Sequence, residues 1–122
     1  MTLQELYQAI DGDYAQAIRV LHVEKLLDKH IRKFPASGVV DAVLAAGKTM
    51  DPTALFEAGH ALKGVSANLG LNSLSELAGA VAEEFRPGKS RTMSDEQLDS
   101  HMEQVRAKYE ETVAAIQQFT QG

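Results

Sequence analysis

The sequence predicts an all-α chain: an antiparallel, up-down four-helix bundle with a short additional helical segment at its N-terminus. Three observations carry that expectation. Apolar residues make up 44% of the 122-residue chain while aromatics are only 6% and Trp is absent, so the core is built from aliphatic side chains that suit helix packing. Those aliphatics recur at three- and four-residue intervals, with no sustained alternation of apolar and polar residues and no hairpin turn pairs. Finally, proline occurs only at positions 35, 52 and 87, each beside an expected helix boundary. Without repeats, low-complexity tracts or long linkers, residues 1–122 read as one domain, with the bundle over about 13–120 and an N-terminal flap over 1–12.

Each element has its own signals. Residues 2–10 place Leu3, Leu6, Tyr7 and Ile10 on one face, with Thr2 as N-cap and Glu5 completing a capping box. From Asp13 to about Phe34, Ala17, Val20, Val23, Leu27, Ile31 and Phe34 follow helical spacing, which predicts one long helix closed by Pro35. A shorter helix is expected from about Ser37 to Ala46, with Val40, Val43 and Leu44 inward and Gly47 as its stop. Asp51 and Pro52 then mark a start, because Asp accepts from the free N–H groups of a first turn and Pro at the first helical position has none to leave unpaired. This helix should run to Leu69, where Gly70 can adopt the left-handed conformation. Residues 72–85 carry Leu74, Leu77, Ala78, Val81 and Phe85 on one face before Arg86-Pro87-Gly88 interrupts them. The last helix starts at Ser94, with Gln97 as capping-box partner, and repeats Leu98, Met102, Val105, Tyr109, Thr112, Ile116 and Phe119. Short connections between such helices point to antiparallel neighbours.

Composition excludes several functions. With no Cys there is no disulfide, thiolate nucleophile or thiolate-bound metal. The formal net charge of −5 argues against nucleic acid as a partner, and the one basic stretch, RPGKSR at 86–91, reads as a solvated connection. The N-terminal residues show no secretory signal, and no run of 18 apolar residues could span a membrane, so a cytoplasmic protein without membrane attachment is expected.

The chemistry concentrates in the helix of residues 52–69. At about 100° per residue, Leu55, Ala58, Leu62, Val65 and Leu69 share the core side, and His60 projects almost opposite them. Phe56 and Gly64 lie one turn before and after His60, with Lys63 beside it and Ala67 two turns on. A glycine inside a helix costs about 1 kcal/mol relative to alanine, so its presence suggests that something approaches the imidazole closely. A partner arriving at this face would meet Phe56, Glu57, Gly64 and Ala67. Near neutral pH an imidazole can keep a lone pair on a ring nitrogen, which makes His60 a candidate nucleophile toward phosphorus. Lys63 is placed to offset charge on phosphoryl oxygens, and in-line positioning supplies the rest of such a transfer.

The run His60-Ala61-Leu62-Lys63-Gly64-Val65-Ser66-Ala67-Asn68-Leu69-Gly70 resembles the signature of histidine-containing phosphotransfer (HPt) domains, in which His is followed by Lys at plus three, Gly at plus four, Ser at plus six and Leu-Gly at plus nine and ten. The likeness extends over about residues 13–119. It implies that His60 accepts a phosphoryl group from the aspartyl phosphate of a response-regulator receiver domain and passes it to another receiver, within a relay that includes a hybrid sensor histidine kinase. It further implies a phosphotransfer protein with no kinase activity of its own, binding no cofactor, the Mg²⁺ belonging to the receiver. A monomer is expected, and the starting Met with short polar ends leans toward a free shuttle. In many relatives a polar side chain of the following helix orients the imidazole. Here that region holds Gly79 and Ala82, leaving Glu83 or Ser75 as the polar alternatives.

Other sites read as weaker. His30 falls beside an apolar stripe and is expected to be a packed, hydrogen-bonded ring, while His22 and His101 are polar-face residues. Ser66 and Asn68 are candidates for bonds to backbone or neighbouring helices near the Gly70 turn. No histidine pair with helical metal-ligand spacing occurs, so no metal is expected, and no Ser or Lys has a matched base. The alternative function is a scaffold or regulator that binds a receiver through the same surface without exchanging phosphate.

Overall fold

Helix starts follow the local chemistry closely in a computed structural model that describes residues 1–121. In α1 (Leu3–Ala9) the Thr2 hydroxyl accepts from Glu5 N–H at 3.1 Å while the Glu5 carboxylate accepts from Thr2 N–H at 2.8 Å. The same reciprocal pair, Ser94 and Gln97, starts the last helix, α7 (Asp95–Gln121), at 3.1 and 2.8 Å. Asp51 caps α5 (Pro52–Asn68) by accepting from Thr53 N–H at 3.0 Å. Between these lie α2 (Tyr14–Leu21), α3 (Glu24–Lys33), a 3₁₀ turn at Phe34–Ala36, α4 (Val39–Thr49) and α6 (Asn72–Glu84). There are no strands among the described residues.

Four helices form a closed ring: α4 packs on α5, α5 most extensively on α6, α6 on α7, and α7 back on α4. Helix lengths explain what is added. The 27 residues of α7 span about 40 Å and the 11 of α4 only about 16 Å. The uncovered length of α7 is used by α1 and α3, which also pack against it. There Phe34 meets Tyr109 edge to face at 6.2 Å, the Tyr109 hydroxyl donates to Pro35 C=O at 3.0 Å, and the Arg32 guanidinium lies 4.6 Å from the Phe119 ring centre. The main core joins Leu6, Leu27, Ile31, Leu62, Leu74, Val105 and Ile116, and a smaller cluster of Ala46, Leu55, Val81, Phe85 and Leu98 fills the other end.

The expected long helix over 13–34 is in fact two. His22 takes φ +71° after α2, and Val23 then caps α3 from an extended conformation. The break lets α2 stay on α5 while α3 turns onto α7. Val20 and Val23, expected inside, are 42% and 50% exposed: the core side of α2 runs through Tyr14, Ala17, Ile18 and Leu21, and Val23 lies in the extended link to α3. His30 lies beside the buried Leu27 and Ile31 on α3 but on its outer side, so it is an exposed side chain without a hydrogen bond among the described residues, not a packed ring. Gly47 is likewise no stop. Helix α4 starts after Gly38, at φ +77°, and continues to Thr49, because Gly47 faces α7 where a Cβ would come within 3.1 Å of Met102.

Two close approaches fix the helix that carries the site. On the core side of α5, Gly59 lets α6 come near: a Cβ there would sit 3.0 Å from Ala82 N and 3.1 Å from Ala78 O. At its C-terminal end, carbonyls that a helix leaves unpaired are taken by the N-terminal segment. Gln16 Nε2 donates to Ala67 O at 2.9 Å, the buried Tyr7 hydroxyl to Leu69 O at 2.6 Å, and Asp13 N–H to Gly70 O at 2.8 Å. Gly70 has φ +68°, and a side chain there would run into the Asp13 carbonyl.

Candidate functional site

His60 lies in the middle of α5 with its ring exposed, and no protein group among the described residues hydrogen-bonds to it. Its nearest structural restraint is Phe56, one turn earlier. The two rings stack with centroids 5.9 Å apart and planes 18° from parallel. Phe56 is half-buried, so it can hold one face of the imidazole while leaving the other open.

Lys63 is also exposed, and no carboxylate among the described residues pairs with it. Helix α6 nonetheless shapes its course. Gly79 lies beneath the Lys63 methylenes, where a Cβ would be 3.4 Å from Cδ and 3.6 Å from Cε, so the missing side chain forms a shallow trough for the lysine stem. Ser75 Oγ donates to the Lys63 carbonyl at 3.3 Å, and Glu83 pairs with Arg86 at 3.2 Å. Neither polar alternative considered for orienting the imidazole hydrogen-bonds to it among the described residues. The position of Ala82 is buried against α5.

Gly64 contrasts sharply with Gly59 in the same helix. A Cβ on Gly64 would meet nothing within 4 Å, so no internal packing requires its absence. Ala67 is half-buried beyond it, and Glu57 is exposed on the preceding side of the helix. Phe56, Glu57, Gly64 and Ala67 thus border His60 on one low surface of α5.

Four contributors escaped sequence reasoning. Gly59, Tyr7 and Gln16 act on α5 through tertiary contacts, and helical spacing or single-residue polarity gives no sign of their partners. The fourth is Glu84, 3% exposed at the end of α6. Its carboxylate accepts from Thr92 Oγ1 at 2.7 Å, Thr92 N–H at 2.9 Å, Lys89 Nζ at 3.2 Å and Met93 N–H. Burial opposes ionisation of this group, but hydrogen bonds led by the Thr92 hydroxyl and Met93 N–H outweigh it and hold the pKa down at about 2. The stretch 86–93 is accordingly a shaped loop tied to a buried charge. Together with the first turns of α5 it walls a groove of about 450 Å³ that shares Phe56 and Glu57 with the surface around His60.

The remaining candidates fall elsewhere. The Ser66 hydroxyl is fully buried without a hydrogen-bond partner, contrary to the expected structural bond, although its carbonyl accepts from Leu71 N–H at 2.8 Å. Asn68 is exposed and makes no side-chain bond among the described residues. His22 is exposed at the α2–α3 break, whereas His101 is half-buried and bonds the Leu77 carbonyl through Nε2 at 2.7 Å, tying α7 to α6. Among the described residues no group of three or more His, Asp or Glu could hold a metal ion, and no helix is long and apolar enough to cross a membrane.

Comparison with known proteins gives one positive result: the family model of the Hpt domain matches residues 1–118, including the N-terminal segment that secures α5. No curated protein and no solved structure gave a match. A match over nearly the whole chain places it plainly: the protein belongs to the Hpt-domain family, whose members carry phosphoryl groups on histidine between receiver domains in phosphorelay signalling and are not themselves kinases.

Proposed function

We propose that His60 is the phospho-acceptor of this Hpt protein, with Lys63 stabilising the phosphoryl charge. The observation that supports this most is the surface around the ring: an exposed imidazole, an unpaired lysine one turn away, and a glycine whose bareness serves nothing inside the molecule. In the forward step the imidazole lone pair attacks the phosphorus of a receiver's aspartyl phosphate. The N–P bond forms as the acyl P–O bond breaks, the aspartate leaves as carboxylate, and the second ring nitrogen retains its proton. The reverse sequence delivers the group to the aspartate of another receiver. Lys63 neutralises the phosphoryl oxygens in both directions, and Gly64 and Ala67 let the receiver surface descend onto the ring. The Mg²⁺ for transfer is supplied by the receiver, and a hybrid sensor histidine kinase stands upstream.

The test is incubation with a radiolabelled, phosphorylated receiver domain and Mg²⁺, beside His60→Gln. Label on the wild type alone, lost in acid and kept in alkali, identifies a phosphohistidine at position 60. Equal labelling of His60→Gln sinks the assignment. A second reading, a receiver-binding scaffold that exchanges no phosphate, draws on the absence of any hydrogen bond orienting the His60 ring. Under it, His60→Gln and wild type bind a receiver equally and neither takes label.

A further inference from the structure

We propose that the groove between the first turns of α5 and the 86–91 loop docks an acidic segment of the receiver partner, with Arg86 and Arg91 as the residues that select it. The inference rests on the transfer surface proposed above, which it extends toward the N-terminal end of α5. Continuity between the two is physical, since Phe56 stacks on His60 and also lines the groove. Pro52, Phe85 and Pro87 complete apolar walls that a partner can cover.

Charge decides what kind of partner fits. The chain carries a formal −5, yet this loop places Arg86, Lys89 and Arg91 within six residues on the groove's rim. All three already pair within the chain, and burial separates them. Lys89 bonds the Glu84 carboxylate that shapes the loop, and that side chain is only 2% exposed, so exchanging it would leave a buried charge uncompensated. Arg86 and its partner Glu83 are 58% and 55% exposed, and Arg91 and its partner Asp95 are 36% and 82% exposed, so the difference from the Lys89 pair lies in the carboxylates. Pairs with a solvent-exposed carboxylate contribute little to stability, so either arginine can trade its own carboxylate for an incoming one at small cost. Lys89 builds the loop, Arg86 stands out from it, and the Arg91 guanidinium lies 5.9 Å from the centre of the Phe85 ring on the groove wall, with its edge paired only to the exposed Asp95. Glu57, on the opposite wall, repels acidic groups and so directs them to the loop side.

The experiment uses the full chain, and its probe is a panel of receiver domains charged with acetyl phosphate in Mg²⁺. Transfer kinetics of wild type, the double variants R86E/R91E and R86K/R91K, and binding of the same receivers to each in a His60→Gln background are measured at low and moderate salt. The expected result is a fall of about tenfold in kcat/KM for R86E/R91E at low salt, with kcat unchanged, a flatter salt dependence, and a parallel weakening of Kd. R86K/R91K retains most of the wild-type value, and melting temperatures stay together. Equal kcat/KM and Kd for wild type and R86E/R91E at every salt concentration overturns the docking role, as does a loss confined to kcat. Should the wild type take no label while R86E/R91E still weakens receiver binding, the groove stands and the transfer reading falls.

Discussion

Two glycines five residues apart in α5 should respond to the same substitution with opposite signs. Replacing either by alanine removes the same backbone-entropy penalty, about 1 kcal/mol in a helix interior. At Gly64 nothing lies within 4 Å of the new Cβ, so Gly64→Ala keeps the whole gain and raises stability by about 1 kcal/mol, roughly 4 °C in Tm. At Gly59 the new Cβ comes to 3.0 Å from Ala82 N and 3.1 Å from Ala78 O. These are backbone atoms of a packed helix and cannot rotate away, so α6 must move outward by a few tenths of an ångström. Overpacking of that order costs about 1–3 kcal/mol, which leaves Gly59→Ala about 0–2 kcal/mol less stable than wild type. Because propensity cancels between the variants, their difference reports the crowding alone. Urea and thermal unfolding followed by circular dichroism measure it directly. A destabilised Gly64→Ala, or a Gly59→Ala stabilised to the same degree, refutes the reasoning. Gly64→Ala should also slow phosphotransfer despite its greater stability, as expected of a residue kept for access and not for packing.

Three further outcomes follow from single contacts. Tyr7→Phe removes the 2.6 Å bond to the Leu69 carbonyl and leaves that acceptor buried, so it should cost about 1–2 kcal/mol in urea unfolding; an unchanged midpoint would mean that water replaces the hydroxyl. Glu84, whose folded pKa of about 2 lies below its ordinary 4.5, adds stability that is fully present above about pH 4.5 and is lost as pH falls toward 2. Allowing for screening through its thin loop cover, that part amounts to about 1–2 kcal/mol, and Glu84→Gln should flatten this limb of a stability-versus-pH series. Gly79→Leu fills the trough under the Lys63 stem, so it should reduce phosphotransfer in the wild-type background but add little to Lys63→Ala; an equal loss in both backgrounds would show that Gly79 acts only through packing.

Local chemistry made much of this protein legible before any coordinates. Caps are encoded within three or four residues, so Thr2 with Glu5, Asp51 with Pro52 and Ser94 with Gln97 announced their helices, and Gly70 its left-handed turn. The exposed side of α5 was equally readable, because helical phase alone separates His60, Lys63 and Gly64 from Leu55, Leu62 and Leu69. Phase arithmetic fails where the chain departs from one continuous helix. It carried Val23 across the turn at His22 into a core it does not enter, chose Val20 where Ile18 and Leu21 face inward, and took Gly47 for a stop when the residue was making room for Met102. Nor can a single sequence show which of two glycines faces a neighbouring backbone, or that Glu84 would be buried among loop N–H groups. Sequence by itself determined the helices and the surface on which His60 stands, since those depend on near neighbours in the chain. Only the tertiary structure decided how α1 and α2 anchor the end of α5, how Gly79 guides Lys63, and where the 86–91 loop sits beside Phe56, because each requires segments distant in sequence to meet in space.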